Sequence, residues 1–244
     1  MAGFTCILWQ EYVLFKRNFW NITISNMIAP TLYLIAFGWG LGGGMRIDGS
    51  DYISFVIPGI IALTTMTASF SAVGNAINIS RLYEKTFEEF MVAPISMLVY
   101  AAGKITAGAL RGIYSGFLII ILAFVFGVRV HLNGYFLLVM ILNCLVFSAI
   151  GFTAGIFIKS HADMAKFTSF IITPMAFLCG TFFPLDKIPH VLKVFIWLLP
   201  LTHTSLGLRN SGGNIGDMIL HIVILLLYFL IILAIGVVHC KKTE

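Results

Sequence analysis

Apolar residues run through the chain in six long blocks separated by polar joints. A helix that crosses a bilayer needs about 20 mainly apolar residues. Six stretches meet that length, at about 26–44, 52–80, 98–128, 134–158, 165–183 and 217–239. The second is long and carries Pro58-Gly59, where a tilt or break is expected. The joints are short except 184–216. Two further segments are apolar but wrong for spanning. Residues 4–20 place Phe4, Leu8, Tyr12, Phe15 and Phe19 at helical spacing, with Gln10, Glu11, Lys16, Arg17 and Asn18 interleaved. That pattern suits an amphipathic helix lying in the interface. Residues 188–199, bounded by Pro184, Pro189 and Pro200, form a run too short to span and fit a re-entrant or surface-lying helix. The predicted fold is an all-α integral membrane protein, a single domain over 1–244.

The joint after the second block is the most structured. Within 82–94, Leu82, Phe87, Phe90 and Met91 share one helical face, Glu84, Lys85, Glu88 and Glu89 lie largely elsewhere, and Pro94 ends the helix. A short charged helix of this kind either docks a soluble partner or only reverses the chain, and the pattern fits both.

Composition agrees with lipid as the solvent. The 244 residues are 59% hydrophobic and 10% charged, with a mean hydropathy of +1.00. A soluble fold of this size cannot hide so much apolar surface in one core. Disorder, a disulfide scaffold and nucleic-acid binding are excluded. Cys6, Cys144, Cys179 and Cys240 are far apart, with no metal-ligand spacing. The first residues do not read as a cleaved signal. An even number of spans puts both termini on one side. With them lie Lys16, Arg17, Arg81, Lys85, Lys159, Lys166, Lys241 and Lys242, against Arg46, Arg129, Lys187, Lys193 and Arg209 opposite. The excess of basic residues makes the termini cytoplasmic.

Candidate chemistry is sparse. The second span carries Thr64, Thr65, Thr67, Ser69, Ser71, Asn75 and Asn78, which serve either as lining for a polar cargo or as interhelical hydrogen-bond glue. Arg111 is a basic residue well inside the third span, about two turns from Lys104. It either snorkels or pairs structurally, or it relays motion from the cytoplasmic loop. No span has an acidic residue near its middle, which disfavours an ion-coupled carrier. Gly108, Gly112 and Gly116, with Gly40/Gly44 and Gly151/Gly155, mark close helix packing. No phosphate-binding GxxxxGK[ST], HExxH or GxSxG occurs. His131, His161, His190, His203, His221 and His239 are scattered without ligand spacing. A membrane enzyme acting on lipids would need a polar cluster at one interface, and none is visible in the sequence.

This order of elements resembles the permease subunits of type-2 ATP-binding-cassette exporters. Three stretches carry the likeness: Ser25-Asn-Met-Ile-Ala-Pro-Thr-Leu-Tyr-Leu-Ile-Ala-Phe-Gly-Trp-Gly-Leu-Gly42; Tyr83-Glu-Lys-Thr-Phe-Glu-Glu-Phe-Met-Val-Ala-Pro-Ile-Ser96 with Gly103-Lys104; and Thr173-Pro-Met-Ala-Phe-Leu-Cys-Gly-Thr-Phe-Phe-Pro-Leu-Asp-Lys-Ile-Pro189 with Leu199-Pro-Leu-Thr-His203. The look is closest to permeases for nodulation-type lipo-oligosaccharides, polysaccharides and drugs. The resemblance implies a homodimer in the bacterial inner membrane above two copies of a separate ATPase. That partner would bind ATP and Mg, so the chain itself would hold no cofactor and be no enzyme. It implies that 82–94 is the coupling helix, with Leu82, Tyr83, Glu84, Lys85, Phe87, Glu88, Glu89, Phe90 and Pro94 facing the ATPase. The first, second and fifth spans would line the dimer axis. Residues 184–200, with Phe182, Phe183, Pro184, Leu185 and Pro189, would gate the outer side. A nucleotide-independent secondary transporter or channel is the alternative. Cargo identity does not follow from the resemblance.

Overall fold

A computed structural model describes residues 2–40, 46–47, 50–93, 95–128, 130–185 and 188–241. The backbone is almost wholly helical. α1 (Ala2–Arg17) is followed, across Asn18, by α2 (Phe19–Leu34), which runs on into a π-helical stretch, Ile35–Gly40. Two short strands, β1 (Arg46–Ile47) and β2 (Ser50–Asp51), pair antiparallel before α3 (Tyr52–Leu82). Then come α4 (Thr86–Val92), α5 (Met97–Val125), α6 (Gly134–Phe157) and α7 (His161–Phe167). A second π-helical stretch, Thr168–Ile172, joins α7 to α8 (Thr173–Leu178). α9 (His190–Trp197), α10 (Pro200–Arg209) and α11 (Ile215–Lys241) complete the chain.

Among the described residues, α3, α5, α6 and α11 are long and apolar enough to cross a membrane; α9 and α10, bent by 93°, make a fifth crossing if the pair is one span. The helical stretches 19–40 and 161–178 fall where the first and fifth spans were expected, but each changes from α to π along its length. Pro174 explains the second change: it has no N–H for the Phe170 carbonyl, and the ladder shifts register before it.

α3 is the hub. It packs on α5, α6 and α10, burying Ile57, Ile60, Ile61, Met66 and Phe70 completely or nearly so. It stays helical through Pro58, where a break was possible. Glycines set its closest approaches. A β-carbon on Gly151 would lie 2.6 Å from the Phe70 carbonyl oxygen, and one on Gly112 1.8 Å from Ser69 Oγ. The glycine rows of the third and fourth spans therefore face α3; Gly44 lies outside the described residues.

Two expectations need correction. The loop helix is not one piece over 82–94. α3 ends at Leu82, Lys85 adopts a left-handed backbone (φ 54°), and a separate α4 covers Thr86–Val92. Residues 200–209, read as part of a long connection, form the buried helix α10. α1 leaves part of its apolar stripe exposed. It runs beside α5 with Ile7 and Glu11 inward, while Trp9 and Tyr12 are exposed.

Candidate functional site

The inward turn of α1 has an electrostatic cause. Lys104 and Arg111 are seven residues apart, two turns on one face of α5. Both reach Glu11: Lys104 Nζ donates to Oε1 at 2.6 Å and Arg111 Nη2 to Oε2 at 3.0 Å. Glu11 and Lys104 are nearly inaccessible, and a buried charge is tolerated only when paired. Arg111 is thus paired structurally rather than snorkelled alone, and α1 supplies the carboxylate that the spans lack. The seven-residue spacing of two cations on an apolar helix was the sequence signal for it.

The same lysine touches α4. Lys104 Nζ lies 5.8 Å from the ring centroids of both Phe90 and Tyr100. Phe87 and Phe90 pack on Tyr100, with centroids 5.7 and 5.1 Å away. Ser80 and Thr86 share a hydrogen bond of 2.7 Å. Arg81 donates to the carbonyls of Gly155 and Ile156 at the end of α6 and lies over the Phe87 ring. One side of α4 is therefore anchored, while Tyr83, Glu84, Lys85, Glu88 and Glu89 are exposed. Leu82 closes α3 and is itself exposed. Pro94 lies outside the described residues. Arg81, counted at first only as a cytoplasmic charge, is the pin between α3, α4 and α6.

The hydroxyls of α3 divide by direction. Thr65 is bonded by Asn143 Nδ2 at 2.9 Å, and Ser69 is fully buried beside Gly112; both belong to the packed interior. Thr64 and Thr67 instead line a cavity of about 240 Å³ against Ser25, Asn26 and Thr168. Thr67 also borders a groove of about 390 Å³ shared with Asn21, Ser25, Asn26, Ser71 and Arg111. Asn75 is half-buried further along α3. A polar cluster that the sequence did not reveal is thus assembled between α2, α3 and α5.

At the other end of α3, Phe182 is buried among aromatic rings, 4.9 Å from Phe37 and 5.2 Å from Tyr33, and its carbonyl accepts from Tyr52 Oη at 2.8 Å. Phe183 packs partly against the same core, Leu185 closes over Gly180, and Pro184 connects them. Pro189 starts α9, whose Val191, Val194 and Phe195 are exposed. Arg209, expected in the outer loop, instead turns inward from α10. Its Nε donates to the Phe55 carbonyl at 3.0 Å and Nη2 to that of Thr181 at 2.9 Å.

Known proteins are similar to this sequence. The chain is 27% identical over 216 residues to the "Inner membrane transport permease YadH" of Escherichia coli (strain K12), covering 86% of this chain and 83% of that one. It is 28% identical over 231 residues to "Nodulation protein J" of Rhizobium leguminosarum bv. viciae, covering 91% and 87%. A third relative, "Nodulation protein J" of Bradyrhizobium diazoefficiens, is 23% identical over 233 residues. The model of the ABC-2 type transporter family matches residues 3–212, from the first turn of α1 to just past α10, and the chain belongs to that family.

Proposed function

We propose that the chain is the membrane-spanning permease subunit of an ATP-binding-cassette exporter. It crosses the bacterial inner membrane six times, the stretches 19–40 and 161–178 serving as first and fifth spans beside α3, α5, α6 and α11. Both termini are cytoplasmic. The family membership and the relatives named as transport permease and nodulation protein support this. The cargo is an amphiphilic or glycan-type molecule such as a lipo-oligosaccharide, a polysaccharide or a drug, as the sequence resemblance implies. The subunit is not an enzyme and carries no cofactor. Energy comes from two copies of a separate cytoplasmic ATPase that binds ATP and Mg, and two copies of this chain form the path.

One observation carries the reading: α4 is anchored on one side and bare on the other. The exposed carboxylates Glu88 and Glu89, with Tyr83, Glu84, Lys85 and Leu82 around them, are the docking surface, to which the resemblance adds Pro94. Phe87 and Phe90 transmit force to Tyr100 and Lys104, and from there through Glu11 to Arg111 and the polar groove. Thr64, Thr65, Thr67, Ser69 and Asn75 belong to the wall of α3 that this relay moves. Phe182, Phe183, Pro184, Leu185 and Pro189 hold the far end closed.

The test is charge reversal on the bare side. Glu88→Arg and Glu89→Arg leave every described side-chain contact of α4 intact. Both variants are expected to insert and fold while losing most of the stimulation this subunit gives the co-purified ATPase. Full stimulation in both would remove α4 as the docking site. Cargo movement in vesicles without nucleotide or companion protein would favour a secondary transporter or channel instead.

A further inference from the structure

The triad of Glu11, Lys104 and Arg111 is unbalanced. Two cations share one carboxylate, leaving a formal excess of one positive charge at a site mostly withdrawn from water. Among the described residues, Lys166–Asp163 is the other ion pair, and no second carboxylate approaches the triad. An unneutralised charge in such a place is costly and calls for a counter-ion.

The groove beside Arg111 is built to supply one. Arg111 lines it with Asn21, Ser25, Asn26, Thr67 and Ser71; Asn26 Nδ2 donates to Ser115 Oγ and Thr67 Oγ1 to the Leu63 carbonyl, which leaves Asn21, Ser25 and Ser71 as donors beside the guanidinium. Both hydrogen bonds of Arg111 to Glu11 leave through Nη2, so the rest of its planar fork has no described partner. A guanidinium with neighbouring hydroxyl and amide donors matches a tetrahedral oxyanion. The level also fits. Asn21, Ser25 and Asn26 lie in the first two turns of α2, beside Trp20, which is 72% exposed. Exposed Trp residues favour the boundary between lipid tails and headgroups. Apolar Ile22, Ala68 and Ala72 complete the wall, so the groove offers a bound molecule both polar groups and hydrocarbon.

We propose that this groove binds the anionic phosphate- or sulfate-type headgroup of an amphiphile, with Arg111 as its charged anchor. The proposal rests on the permease reading for its biological use, and it narrows the cargo to amphiphiles with an anionic head.

The binding test uses the full chain in phosphatidylcholine nanodiscs, with retained lipid counted by native mass spectrometry. Phosphatidic acid is the probe, phosphatidylethanolamine the zwitterionic control and inorganic phosphate the water-soluble competitor. Wild type is expected to retain phosphatidic acid in preference to the control. Arg111→Gln should lower that retention about tenfold. Its fold is expected to survive, because Glu11 keeps Lys104. A second variant, Ser25→Ala with Ser71→Ala, leaves the triad untouched and should weaken retention a few-fold. Equal retention of both lipids, or no loss in a folded Arg111→Gln, overturns the proposal. Displacement by inorganic phosphate at millimolar concentration, as effective as by phosphatidic acid itself, would overturn the amphiphile and leave a free-anion site. These readouts involve no ATPase. Loss of the coupling result at Glu88 would therefore leave them standing, and their failure would leave the permease reading intact.

Discussion

Arg209 shows how one residue can hold two elements together. Pro58 interrupts the ladder of α3 in the turn that contains Phe55, and the Arg209 guanidinium donates to the Phe55 carbonyl there. The same side chain bonds the Thr181 carbonyl, whose oxygen would lie 2.3 Å from a β-carbon on Gly59, and stacks 3.9 Å over the Phe55 ring. Arg209→Met removes these bonds while filling similar volume. Two part-buried carbonyls lose a charged donor, and a loss of about 2 kcal/mol is expected. Arg209→Lys should recover only part of it, because an ammonium lacks the planar fork. Thermal unfolding of the detergent-solubilised protein, followed by size-exclusion chromatography, measures both. A wild-type midpoint for Arg209→Met would show that the carbonyls find other donors.

Between elements, contact distance decides which glycines matter. Gly151 meets the Phe70 carbonyl, a backbone atom that cannot swing aside, whereas nothing lies within 4 Å of a β-carbon on Gly134. Gly151→Ala is therefore expected to push α6 from α3 and lower the unfolding midpoint by several degrees, while Gly134→Ala leaves it unchanged. Equal midpoints in the two variants would contradict the packing described for α3 and α6. The glycine rows were legible because spacing of four is a helical signal that needs no tertiary information. α10 was not legible, for the opposite reason. Its Thr202, His203, Thr204 and Ser205 look like a surface loop, and they are buried only because each finds a partner elsewhere. Thr202 bonds the Ile196 carbonyl, His203 that of Trp197, Thr204 the Asn143 side chain and Ser205 the Cys179 carbonyl. A polar run satisfied by distant atoms carries no local signature. The pairing of α1 with α5 was not legible for the same reason. It rests on the ion pairs of Glu11 with Lys104 and Arg111, about a hundred residues away in sequence. In the candidate site, Lys104, Arg111 and Thr67 were visible as residues; the groove that unites Arg111 and Thr67 with α2 was not.

For the whole molecule, the unpaired surfaces of α2 and α11 point to different surroundings. α11 is apolar nearly all round and mostly exposed, with Ile219, Val223, Leu226, Leu230 and Ile235 bare, as expected of a helix in hydrocarbon. α2 is mixed. Ile24, Ile28 and Leu32 form an exposed ridge, and Asn21, Ser25 and Asn26 open into polar cavities on its flank. Amide and hydroxyl groups facing lipid tails would lose their hydrogen bonds, so this flank belongs toward water, cargo or protein. Placing α2 against its counterpart in a second copy covers the ridge and encloses the cavities. In a cysteine-free background, Ile28→Cys is therefore expected to form a disulfide between two copies when membranes are oxidised, doubling the apparent mass. Val223→Cys on α11 should remain monomeric under the same treatment. Cross-linking at Val223 without cross-linking at Ile28 would place the dimer axis on the wrong side of the bundle. The polar groove would then open to the lipid phase instead of to a path shared by two subunits.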